Sequence, residues 1–95
     1  YFRLGNEALA LEDINYIREI RDAAPFDSPL TADMILAERG RELAFEYHRR
    51  QDLIRFDAFT KAHQFKPVTE EFRELFPIPF NQISLNPNLQ QNPGY

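Results

Sequence analysis

The stretch LFPIPFNQISLNPNLQQNPGY places four prolines and four asparagines within residues 75–95. Proline holds φ at about −65° and pushes the residue before it into extended geometry, so 76–79 can be neither helix interior nor central strand. Asn86-Pro87 and Asn92-Pro93 are turn initiators, and Gly94 admits a positive φ. The same stretch carries Phe76, Ile78, Phe80, Ile83, Leu85, Leu89 and Tyr95. Prolines lower the entropy of the unfolded segment, so ordering it costs less than the usual ~1–2 kcal/mol per residue. These residues predict an ordered, irregular, extended tail. It is expected to dock on helices, because it cannot bury those groups on itself.

The bulk of the chain supplies the helices. Ninety-five residues make at most one small domain, and 14% aromatic with 43% hydrophobic content argues against disorder. A net charge of -4 and a pI near 5.1 leave no electrostatic footprint for nucleic acid or anionic lipid. With no cysteine, disulfides, thiolate nucleophiles and zinc-thiolate sites are excluded. No run approaches the ~20 apolar residues of a membrane span. The opening YFRLGN reads as the last turn of a helix, so the chain is expected to be a fragment of a longer protein.

Gly5 stops that stub, and Asn6 can cap a helix over 7–24. Leu9, Ala10, Ile14, Tyr16, Ile17, Ile20 and Ala24 fall on one face; Glu7, Glu12, Arg18, Glu19 and Asp22 fall on the other. Asp13 intrudes on the apolar side, where a local hydrogen bond or ion pair accounts for it. Pro25 and Pro29 then break the helix. Thr31 is the next N-cap, Asp33 adds charge to the first turn, and Leu30 can pack back as a staple. The spacing predicts a second helix over 32–49, apolar nearly all round. Leu36, Ala37, Leu43, Ala44 and Tyr47 form one broad side, with Met34 and Phe45 opposite, so burial on several sides is expected. DLIRFDAF reads as a short helix or turn anchored by Leu53, Ile54, Phe56 and Phe59. KAHQFKPVT is a linker, and TEEFRELF opens with a capping-box pattern, at Thr69 or the residue before it, that supports a turn or two of helix.

Charge on the second helix is the remaining signal. A buried charge must be paired, since breaking such a pair costs ~3–5 kcal/mol. Local spacing offers Glu42 to Arg39, Glu38 to Arg41, and Glu46 to Arg49 or Arg50. Glu38, Arg39, Glu42, Glu46, Arg50, Asp52 and Arg55 are therefore read as a structural ion-pair network. A metal site built on the three glutamates would have to tolerate the arginines among them, which compete with a cation. His48 and His63 lack the i, i+4 spacing of a zinc helix. No catalytic, cofactor or metal constellation is predicted, and no ligand-binding residue is assigned. The enzymatic alternative is a hydrolase using Glu42 and Glu46, whose Cβ atoms would lie ~5–6 Å apart on adjacent turns. It lacks a second carboxylate-bearing element to form a cleft.

Three motifs occur together: GNEALALEDINYIREIRDAA, AERGRELAFEYHRRQDLIRF and LFPIP…NPNLQQNPGY. In this order they resemble the C-terminal part of the RagB/SusD family, nutrient-binding lipoproteins of Bacteroidetes. Tyr47 stands where the family commonly has Gly, and Gln51 where an aromatic is common, both at the exit of the second helix. The resemblance implies an all-α fold: a tetratricopeptide-like helical segment with the Pro/Asn-rich tail packed on it, 1–95 being the C-terminal segment. It implies a non-enzymatic protein, surface-exposed at the outer membrane through a lipid anchor outside this segment. Such a protein binds an oligosaccharide or peptide and delivers it to a TonB-dependent (SusC-like) transporter. Family ligand contacts lie mainly upstream, which makes this segment scaffold. The alternative is a helical-repeat module for protein–protein interaction.

Overall fold

In the computed structural model, which describes Tyr1–Tyr95, the chain is helical and contains no β-strand. A lone bridge joins His63 and Lys66. The chain forms two units, Tyr1–Asp52 and Leu53–Tyr95.

The first unit is built from caps. Gly5, at φ 76, closes a 3-10 turn over Phe2–Leu4, and the Asn6 side chain accepts from the Leu9 N–H at 3.3 Å. Helix α1 spans Glu7–Ile20. It stops short of the predicted residue 24 because Asp22 turns left-handed (φ 56) and the Ala24 carbonyl accepts from Arg18 Nε at 2.6 Å. That bond draws the exit chain back over the last turn. Side chains from α1 then order the connection. The Asn15 amide accepts from the Phe26 N–H (2.7 Å) and donates to its carbonyl (3.0 Å), while Glu7 accepts from the Leu30 N–H (2.8 Å). The Ser28–Pro29 peptide is cis. Thr31 caps α2, Ala32–Glu42, accepting from the Met34 N–H at 3.2 Å. Ala10, Leu30 and Leu36 are buried, with Ile14, Ile17 and Ile35 half-buried around them.

The second helix is shorter than predicted. It ends at Glu42, residues 43–47 form a turn, and α3 begins at Arg49 and runs to Arg55. Phe45 (φ 66) and Tyr47 (φ 62) take left-handed backbone in that turn, and both side chains are almost wholly exposed, at 99% and 95%. The expected burial on all sides is therefore not found. The reason lies in two long-range bonds. Arg39 Nε donates to Asp52 at 2.9 Å, and Arg49 Nη1 donates to the Leu36 carbonyl at 2.8 Å. In one continuous helix, residues thirteen apart would sit about 20 Å from each other. Both bonds require the chain to reverse, and they prevail over local helix propensity. Gly40 makes room for the reversal: a Cβ there would lie 2.7 Å from the Arg49 guanidinium.

In the second unit, α3 closes through Ala58 N–H to Leu53 O at 2.7 Å, with Asp57 left-handed and Ala58 buried. The predicted capping box at Thr69 does not form. Its hydroxyl accepts from Lys66 Nζ, its N–H is held by Thr60 O, and one 3-10 turn follows at Glu71–Glu74. The tail departs from expectation twice. A short helix, α4, covers Phe80–Leu85, where the Pro79 carbonyl accepts from the N–H groups of Gln82 and Ile83. Residues 91–95 also fold back on 75–78 of the same unit, so the tail does dock partly on itself. Phe76 and Phe80 stand 70% and 83% exposed, with Ile78 half-buried. Peptide groups at 75, 76 and 78 are taken by side chains of the returning segment.

Candidate functional site

The densest chemistry in the first unit is an arginine–carboxylate cluster. Arg18, from the last turns of α1, meets Glu38 of α2 at 2.5 Å, and Arg41 meets the same carboxylate oxygen from one turn further on. Glu38 is buried, at 8% exposure. Burial alone would push its pKa up, but hydrogen bonds from Arg41 and Arg18 more than offset this and hold it below the usual carboxylate range. Arg18 is itself fixed on two further sides, by Ala24 O and by stacking over the Phe26 ring at 3.9 Å. One turn along both helices, Arg21 grips Glu42 through two bonds of 2.6 and 3.0 Å. This bidentate hydrogen bond lowers the Glu42 pKa and raises that of Arg21.

The predicted residues divide as follows. Glu38 does pair with Arg41. Glu42 pairs with Arg21 on the neighbouring helix rather than with Arg39. Arg39 instead pairs with Asp52, whose 2% exposure makes an unpaired charge there far costlier than one at Glu42. Arg49 is committed to the Leu36 carbonyl, and Glu46 stands exposed in the 43–47 turn. Arg50 and Asp52 lie on α3, as does Arg55, which belongs to the second unit. Because α2 ends at Glu42, Glu42 and Glu46 do not occupy adjacent turns of one helix, and the premise of the acid/base pair is not met.

Sequence reasoning missed Arg18 and Arg21, which it placed on a solvated face or passed over, and it missed Asn15. A usable signal existed: Arg18 and Arg21 are one turn apart, as are Glu38 and Glu42, so two facing helices can match them pair to pair. No group of three or more His, Asp or Glu side chains converges as a metal site would require. Beside the cluster lies a groove of about 380 Å³ walled by Phe2, Ala10, Ile14, Ile17, Ile35 and Leu43, with Glu38, Arg39 and Glu42 also lining it. No helix is long and apolar enough to cross a membrane.

Every clustered carboxylate is neutralised by arginine, a bonding pattern suited to fastening helices together. The SusD family model matches the chain over residues 1–71 and again over 57–95, and the chain belongs to that family. It is 32% identical to the starch-binding protein SusD of Bacteroides thetaiotaomicron over 104 aligned positions. The alignment covers 99% of this chain and 18% of the relative, so the chain spans less than a fifth of that protein's length.

Proposed function

We propose that this chain forms the C-terminal part of a non-catalytic, glycan-binding protein of the bacterial outer membrane, and that its residues serve mainly as scaffold. The carrying observation is the alignment of 99% of the chain with a starch-binding protein. The parent protein, tethered by a lipid anchor outside these residues, would hold an oligosaccharide and pass it to a TonB-dependent transporter. The tetratricopeptide-like character of the helical segment belongs to this reading. So does the scaffold role of Glu38, Arg39, Glu42, Glu46, Arg50, Asp52 and Arg55. The arginine partners of Glu38, Glu42 and Asp52 support it, because a carboxylate held by a guanidinium is a poor proton shuttle. A helical-repeat protein-interaction module is not favoured by the family match.

The test is affinity electrophoresis of the parent protein through gels containing starch, other α-glucans and unrelated polysaccharides, with chromatography of the sugars afterwards. Retardation without new reducing ends is the expected result. Released products would overturn the non-catalytic assignment, and migration unaffected by every polysaccharide would overturn the glycan reading. Co-purification with an outer-membrane barrel transporter tests the delivery step.

A further inference from the structure

The strap at 75–79 is the kind of segment on which another chain can add a strand: extended, apolar and exposed. Pro77 and Pro79 already remove two of its donors. Four of its other backbone groups are engaged by one short run, 91–95. The Gln91 amide takes the place of a neighbouring strand's peptide, with Oε1 accepting from the Ile78 N–H at 2.8 Å and Nε2 donating to the Ile78 carbonyl at 2.9 Å. Asn92 donates to Phe76 O at 2.7 Å, and the Tyr95 hydroxyl donates to Leu75 O at 2.8 Å. Aromatic packing fixes the far end. Tyr95 meets the Phe72 ring edge-on with centroids 4.9 Å apart, and Gly94, at φ 94, lies where any Cβ would run into the carbons of that ring.

We propose that 91–95 is a latch that opens and closes as one piece, and that in its closed state it denies the backbone of the proline strap to other chains. The bonds run antiparallel, Gln91 to 78, Asn92 to 76 and Tyr95 to 75, and there is no regular ladder to hold one of them while another is lost. Freeing the Gly94–Tyr95 end from Phe72 therefore releases the Ile78 end as well. The polar contacts come from side chains, which lets residues with no strand partner satisfy extended backbone at close range.

Native-state hydrogen exchange on the full chain tests this. The Ile78 amide, which lies in no helix or strand, is expected to be protected. Gln91→Ala should speed its exchange by about tenfold or more. The deciding variant is Gly94→Ala, which touches neither Ile78 nor Gln91. It should speed Ile78 exchange by a comparable factor while the amides of α1 keep their protection. An unprotected Ile78 in the unaltered protein, or an Ile78 indifferent to Gly94→Ala, would overturn the single-latch proposal. Should Gly94→Ala also deprotect α1, Tyr95→Phe is read the same way, since it removes only the hydroxyl bond to Leu75. The guarding role predicts concentration-dependent self-association of Gln91→Ala, by light scattering, where the unaltered protein stays dispersed. A variant that stays equally dispersed would refute that role.

Discussion

Replacing Glu38 by glutamine separates the buried charge pair from its exposed neighbour one turn away. The substituted amide keeps the size and one acceptor of the native side chain but removes the negative charge. Arg18 cannot then escape to water, because its side chain is only 13% exposed and is pinned by Ala24 O and the Phe26 ring. Arg41 can, being 57% exposed. Stranding a buried partner costs ~3–5 kcal/mol, and the retained acceptor with the hydration of Arg41 reduces this to about 2–3 kcal/mol. Glu42→Gln breaks a pair whose arginine is 61% exposed, and should leave the unfolding midpoint nearly where it was. Urea denaturation of the full chain at about pH 7 reads both, as midpoint shifts at constant slope. The pH dependence provides a second reading. Glu38 has a lowered pKa in the folded protein, so its contribution is complete above the unfolded value of about 4.3 and is lost as pH falls through the folded value. The gap between the native protein and Glu38→Gln should therefore close in acid. A Glu38→Gln shift no larger than that of Glu42→Gln, or a gap that widens below about pH 4.3, would refute the buried-pair argument.

Tyr47→Gly should stabilise the protein by about 0.5–1 kcal/mol in the same assay. Left-handed backbone costs a non-glycine residue roughly 1–2 kcal/mol, glycine returns part of that as entropy, and the exposed ring has little packing to lose. Gly40→Ala gains about 1 kcal/mol of helix propensity but displaces Arg49 from Leu36 O, a charge-assisted bond of about 1.5–3 kcal/mol. The expected net loss is about 0.5–2 kcal/mol, and a stabilised variant would show that the Arg49 bond contributes little. Deleting 85–95 removes the latch residues and uncovers Phe72 and the strap. Aggregation on heating is expected, and unchanged melting and solubility would argue that the tail is not integral to the second unit.

Where caps and breakers acted locally the sequence was mostly sufficient, although the end of α1 at Ile20, the Thr69 cap and α4 were missed. Asn6 and Thr31 lie where caps must lie, three residues before the N–H groups they accept from, and Gly5 and the prolines bar a continuing helix on their own account. The three family motifs were likewise legible, because they are read as letters in order. Of the charge partners, Glu38 with Arg41 was legible and the rest were not. Nothing within one or two helical turns says that Glu42 should prefer Arg21, twenty-one residues away, to Arg39 three away, or that Arg39 should serve Asp52. Those choices follow from which carboxylate is buried, and burial exists only once α1, α2 and α3 have come together. The same applies to the tail. Its prolines dictated extended backbone, but which of its peptide groups would be engaged depended on Gln91, Asn92 and Tyr95 arriving from the far side of α4. Most helix stops and starts were set by interactions over a few residues, whereas the end of α2, the ion pairs between helices and the latch were set by contacts thirteen or more residues apart, which only the folded chain can make.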